Sequence, residues 1–190
     1  MIKAVIFDFF GVLVTEGFKQ FQENYFSDDK DKRQTAVDLI NQVDSGDIPM
    51  DEFTSALAQL AGITPEDVQQ QLGGNKPNKP LLDYIRNNIK DRYKIGILSN
   101  SSMDFPRQIL SAEDIELFDN IVLSYRYGMV KPEPELYKLA AERLGVGASE
   151  CIFIDDSPGH IEGAEAVGMK GIYYKDFPQT KKALEQLLNR

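Results

Sequence analysis

Ile2-Lys3-Ala4-Val5-Ile6-Phe7-Asp8-Phe9-Phe10-Gly11-Val12 opens the chain with an apolar run that ends in a carboxylate. Ala4 to Phe7 is apolar at every position, so neither face of the segment is suited to water. A parallel strand covered by helices on both sides meets that requirement. Asp8 then stands at the carboxyl end of the strand, where open α/β sheets gather their ligands. It reads as a nucleophile or a metal ligand.

Working outward, four further short apolar runs read as strands: Ile95 to Leu98, Ile121 to Leu123, Cys151 to Ile154, and Ile172 to Tyr174. Helical spacing lies between them, in Leu81, Leu82, Ile85 and Ile89 and again in Leu136, Leu139, Ala140 and Leu144, with Gly145 as a stop. Ser157-Pro158 reads as an N-cap followed by a first-turn proline, Gly168 ends that helix, and Leu184, Leu187 and Leu188 suit a final one. Strands alternating with helices predict an α/β fold, a Rossmann-like parallel sheet of about five strands with helices on both faces.

Residues 15–79 break the alternation and hold no convincing strand. Phe18, Phe21, Tyr25 and Phe26 share a helical face, as do Val37, Ile40 and Val43, and then Met50, Phe53, Leu57 and Leu60. Thr64-Pro65-Glu66-Asp67 starts a further helix with acids in its first turn, and the stretch from Gly73 to Pro80 reads as a linker. The expected organisation is a core of residues 1–14 and 80–190 with a small helical cap, residues 15–79, inserted after the first strand. The aromatic stripe is expected to be bundle core, and Cys151, alone in an apolar strand, an inert thiol.

The chain has 190 residues with a formal net charge of −9, 42% hydrophobic and 27% charged residues, and one cysteine. That size suits one domain with a modest insertion. The acidic surface repels polyanions, so no nucleic-acid partner is expected. No apolar run is long enough for a membrane span. A strand at the very start and a lone cysteine lead to the expectation of a cytoplasmic protein with no signal peptide; monomer and homodimer both stay open.

Four polar clusters fall at or just beyond strand ends: Asp8, then Ser99-Asn100-Ser101-Ser102, then Lys131-Pro132, then Asp155-Asp156. A parallel sheet brings them to one edge. A carboxylate nucleophile, hydroxyl and amide donors, a lysine and an acidic pair suit transfer of a phosphoryl group to Asp8 with help from Mg²⁺. The bland readings are a helix cap for Asp8 or for the acidic pair, a solvated turn for Lys131, and a plain polar loop for residues 99–102. Their joint occurrence in this order favours the site.

The same residues resemble the motifs of the haloacid dehalogenase-like (HAD) hydrolase superfamily, in the branch with a helical cap after the first strand. The matching segments are Phe7 to Leu13, Ile97 to Asn100, Gly128 to Tyr137, and Phe153 to Pro158 continuing to Gly163-Ala164. The resemblance covers essentially the whole chain. It implies Asp8 as nucleophile and Mg²⁺ ligand, with the carbonyl of Phe10 and Asp156 as further ligands and Asp155 acting through water. It also implies that Ser99 and the Asn100 amide bind the phosphoryl oxygens and that Lys131 neutralises charge, with a small phosphorylated metabolite as substrate.

Phe10 departs from the pattern, because family phosphatases usually carry aspartate there as general acid and base. That help is worth ~10²–10⁴-fold. Two other readings follow: a HAD-fold protein that binds a ligand or partner with little turnover, and a 2-haloacid dehalogenase, against which the acidic pair argues. The kept acidic pair and the segment Ser45 to Phe53 are similar to bacterial glucose-1-phosphate phosphatases, which suggests a sugar phosphate. His160, a turn beyond Asp156, is expected to be an exposed histidine rather than a replacement proton donor.

Overall fold

The computed structural model describes residues 1–188. Strand β1 (Ala4–Phe7) is buried along its whole length and lies at the centre of a sheet of five parallel strands. The others are β2 (Lys94–Ser99), β3 (Asn120–Leu123), β4 (Cys151–Asp155) and β5 (Lys170–Tyr173), in the order β3-β2-β1-β4-β5. The chain runs from β1 to one side through β2 and β3, and then crosses to the other side for β4 and β5. The order therefore reverses at β1, and a crevice opens at its carboxyl end.

The register levels the strand ends. Phe7 pairs with Ile97 on one side and with Ile154 on the other, and the Asp8 amide donates to the Ile154 carbonyl at 2.8 Å. Asp8 and Asp155 thus leave the sheet side by side.

Side chains of β1 alternate between two cores, as the pleat requires. Val5 and Phe7 join a cluster with Leu81, Leu82, Ile85 and Leu184. Ala4 and Ile6 join another with Leu136, Tyr137, Ala140 and Ile161. One face is covered by α5 (Lys79–Tyr84), a wider π turn at Ile85–Ile89 and α10 (Phe177–Leu188). The other is covered by α8 (Pro134–Arg143) and α9 (Pro158–Ala166).

Between β1 and α5 the chain inserts four helices: α1 (Gly17–Phe26), α2 (Lys30–Ser45), α3 (Met50–Ala61) and α4 (Pro65–Leu72). Phe21, Phe26, Val43, Phe53, Leu57 and Val68 close a cluster of their own. Thr64 and Asp67 form the reciprocal cap at the start of α4. The two strands of chain that tie these helices to the sheet run together: the Thr15 amide donates to the Lys76 carbonyl at 3.0 Å, and Asn78 Nδ2 to the Val12 carbonyl at 2.9 Å.

Several expectations are corrected in detail. β5 begins at Lys170 and ends at Tyr173, because its backbone pairs with β4 from Ile152 onward whatever the polarity of its first residues. The stretch read as a linker ends inside α5, whose N-cap is Asn78. Ser157 occupies the N-cap position of α9 without capping it by its side chain. Instead its amide is held by Asp155 Oδ1 at 2.8 Å. The short helices α6 (Phe105–Ile109) and α7 (Ala112–Ile115) were too brief to leave a periodic signal.

Candidate active site

The carboxyl ends of β1 and β4 and the loops after β2 and β3 converge beneath the four inserted helices. Lys131 is at the centre. Its Nζ donates to Asp8 Oδ1 at 2.7 Å and to Asp155 Oδ2 at 2.6 Å. All three residues are buried, with Lys131 only 3% exposed. Asn100 fixes the lysine backbone from both sides: its Oδ1 accepts the Lys131 amide at 2.7 Å, and its Nδ2 donates to the Lys131 carbonyl at 3.1 Å.

One ammonium does not balance the acids it serves. Carboxylate oxygens of Asp8, Asp155 and Asp156 can be chosen within 4.8 Å of one another. Burial, and next the Asp155 charge, push the Asp8 carboxyl well above its ordinary value against the pull of Lys131. Burial and Asp155 also raise Asp156. Asp155 is lowered, since Lys131 and His160 together outweigh its burial. Asp155 and Asp8 outweigh burial at Lys131 and keep it an ammonium. Hard oxygen donors around an unbalanced negative charge suit a small divalent cation.

Asp156 is seated against the backbone beside residue 10. A Cβ on Gly11 would lie 2.5 Å from Asp156 Oδ2, and Gly11 itself has φ of +80°. This close approach is open to glycine alone. It brings Asp156 against the peptide that carries the Phe10 carbonyl. The Phe10 ring packs edge-on against Phe9 at 5.0 Å and Phe105 at 5.4 Å, as part of an aromatic wall.

The cluster opens into a cavity of about 840 Å³ between sheet and inserted helices. Asp8, Phe10, Asn100, Lys131 and Asp156 line it. Ser99 does not. It is fully buried, and its hydroxyl donates to the Asn100 carbonyl at 3.1 Å. Ser102, farther along the same loop, faces the cavity with a buried Oγ that has no hydrogen-bond partner among the described residues. Such an orphan group commonly awaits a ligand.

Three groups in the cavity had drawn no site expectation or the wrong one. His160 is not simply exposed: its Nδ1 lies 3.1 Å from both Asp155 oxygens. Glu16, just before α1, is pushed up to about 7 by burial and by Asp156, against the pull of Lys19. Asp44, in the last turn of α2, is pushed up to about 7 by burial, against Lys131. One sequence signal existed for Asp44, since a carboxylate in the last turn of a helix opposes the helix dipole. The aromatic stripe divides: Phe21 and Phe26 are buried in the helical cluster, while Phe18 reaches the cavity. Cys151 is buried, with its thiol raised to about 11 by burial.

A family model for haloacid dehalogenase-like hydrolases matches residues 2–168. The D-ribitol-5-phosphate phosphatase of Bacteroides thetaiotaomicron is 26% identical over 208 residues, covering all of both chains. A sesquiterpene phosphatase of Aspergillus oryzae is 28% identical over 98% of this chain and 96% of its own. Among solved structures, a HAD family enzyme of Bacteroides thetaiotaomicron in complex with magnesium and inorganic phosphate has a TM-score of 0.69 at 25% identity, over 92% of this chain and 95% of that one.

Proposed function

The chain belongs to the haloacid dehalogenase-like hydrolases, and on that footing we propose that it is a magnesium-dependent phosphatase of a small phosphorylated metabolite, working through a phosphoaspartate on Asp8. The observation that carries the reading is the Lys131 ammonium held between Asp8 and Asp155, with Asp156 beside them and a cavity above.

Asp8 is the nucleophile, because it alone of the acids combines the end of the central strand, the lysine contact and a place on the cavity wall. Asp8, Asp156 and the Phe10 carbonyl would hold Mg²⁺, with Asp155 acting through water. When bound, Mg²⁺ supplies positive charge to the transferring phosphoryl oxygens. Lys131 adds its own charge and keeps Asp8 aimed. The Asn100 amide and Ser102 Oγ bind phosphoryl oxygens; Ser99 lies behind them, buried with its hydroxyl on the Asn100 carbonyl. The inserted helices act as a cap that shelters the reaction from water.

A HAD-fold binding protein without turnover is the second reading, favoured by Phe10, which has no proton to give. Dehalogenation fits less well, since Asp155 and Asp156 crowd negative charge around the nucleophile. The discriminating experiment is phosphate release from an aryl phosphate and a panel of metabolite phosphates, with and without Mg²⁺. Turnover that vanishes on chelation, with little gain from Phe10→Asp, is the expected outcome. Phosphate binding without turnover, together with activity in Phe10→Asp, would establish the second reading; metal-independent halide release from a 2-haloacid would establish the third.

The seat of Asp156 gives a further expected result. In Gly11→Ala the new methyl group meets Asp156, and positive φ costs a further ~1–2 kcal/mol. Asp156 must move, and the Mg²⁺ concentration for half-maximal activity should rise about 10–100-fold, the scale of disturbed metal-site support. A magnesium titration measures it; an unchanged midpoint would remove Asp156 from the cation site.

A further inference from the structure

Phe10 leaves the departing oxygen of a phosphoester without the acid that the family resemblance puts at that position, and two other carboxyls share the cavity with Asp8: Glu16 and Asp44. Glu16 is bound up with the charge cluster, under the field of Asp156 and of Lys19, which lies 3.9 Å from Asp156. Asp44 stands apart from the cluster. No described side chain hydrogen-bonds or ion-pairs with its carboxyl, and Lys131 is the one charge among the described residues with a clear effect on it.

Its position is fixed from behind. The Ser124 hydroxyl donates to the Asp44 carbonyl at 2.6 Å and accepts the Ser101 amide at 2.8 Å. This relay ties the end of α2 to the loop of residues 100–102, beside which the phosphoryl group would lie. Gly46, left-handed at φ 87°, ends the helix two residues on, so the Asp44 side chain belongs to a terminus anchored on the core. An acid that opposes the dipole of its own helix, lacks a partner and faces the cavity calls for a role outside folding.

We propose that Asp44 is the general acid and base that Phe10 cannot be. The proposal rests on the phosphatase reading. In the first half, an Asp8 oxygen bonds to phosphorus as the bond from phosphorus to the ester oxygen breaks. The electron pair stays on the ester oxygen, the Asp44 carboxyl gives it a proton, and the alcohol departs. In the second half, the Asp44 carboxylate takes one proton from a water molecule whose oxygen bonds to phosphorus. The bond to Asp8 breaks with its pair returning to the carboxylate, inorganic phosphate leaves, and both aspartates are restored.

Burial holds Asp44 near 7, where the group can both give and take a proton at neutral pH. The titratable groups that line the same cavity are Lys131, Asp8, Asp156, Glu16 and His160.

The test uses the full chain with saturating Mg²⁺ and two substrates, p-nitrophenyl phosphate and a simple alkyl phosphate. Only the alkoxide needs a proton to leave. Asp44→Asn is expected to lower kcat/KM about 10²–10⁴-fold on the alkyl ester and less than about tenfold on the aryl ester. The fall in wild-type activity as pH rises through about 7 should be absent in the variant, and Asp44→Glu should recover part of the loss. Equal losses on both esters, no loss, or a leaving-group-dependent loss in Glu16→Gln instead would overturn the proposal. If Asp44→Asn fails to fold, kcat/KM of the wild type on a series of alkyl phosphates whose leaving alcohols differ in acidity decides: values nearly independent of leaving-group acidity support a working acid, and a steep dependence overturns it. Wild-type turnover with uniform losses sinks only this proposal, whereas no turnover on any ester sinks the phosphatase reading as well.

Discussion

Asp8→Asn is expected to abolish phosphate release, with a loss on the order of 10⁴–10⁶-fold in kcat, while leaving the protein folded. The amide has nearly the shape of the carboxylate but cannot attack phosphorus. Its effect on stability should be opposite in sign to its effect on rate. The Asp8 carboxyl is raised in the folded state by burial and by Asp155. A carboxyl raised on folding binds its proton more tightly in the native state, so its ionisation at neutral pH costs stability. Removing that charge leaves Lys131 to Asp155, and the midpoint of thermal unfolding should hold or rise. Thermal unfolding and phosphate release on the same preparation check both halves. Retained turnover in a folded variant would move the nucleophile elsewhere.

Lys131→Met should act in the other direction on the fold. Methionine keeps most of the stem and deletes the ammonium, which leaves Asp8 buried without its ion-pair partner and Asp155 with only His160 and the Ser157 amide. Breaking a buried pair by removing one partner costs roughly 3–5 kcal/mol. At about 2–4 °C per kcal/mol for a chain of this length, Tm should fall roughly 6–20 °C. Two conditions should return part of the loss. Mg²⁺ supplies the missing positive charge. Lower pH protonates carboxylates that no longer have a counter-ion, so the gap between variant and wild type should narrow as pH falls. Turnover should also drop about 10²–10³-fold, the scale for removing one preorganised charge from a developing transition state. A variant as stable as the wild type at neutral pH without Mg²⁺ would mean that the lysine does not hold these acids together.

Much of this was legible because parallel strands advertise themselves. A run such as Ala4 to Phe7 has one home, and the residue after it has one address. Asp8, Asn100, Lys131 and Asp155 could therefore be brought together on paper from local pattern, while it took the family resemblance to mark Phe10 as the odd member. Residues supplied from the inserted helices were not legible. Helical spacing tells which face is apolar, but Asp44 and Glu16 owe their position to which end of a bundle rests on the sheet, a long-range fact carried by contacts such as Ser124 with Asp44. His160 escaped for a related reason: the chain turns back at the start of α9, so a residue five positions from Asp155 returns to touch it. The hydroxyl of Ser99 shows the reverse limit, since a strand end fixes where a residue is but not where its rotor points.

The central claim is that phosphate passes through a covalent stage on the strand-end aspartate. It is tested most directly by mixing the protein with an aryl phosphate and Mg²⁺, quenching in acid within the first turnover, and locating the phosphoryl group by peptide mass. The label should lie on Asp8 alone, appear before inorganic phosphate, and be absent without Mg²⁺. Phosphate released with no label on Asp8 at any time, or a label on another residue, would contradict the account.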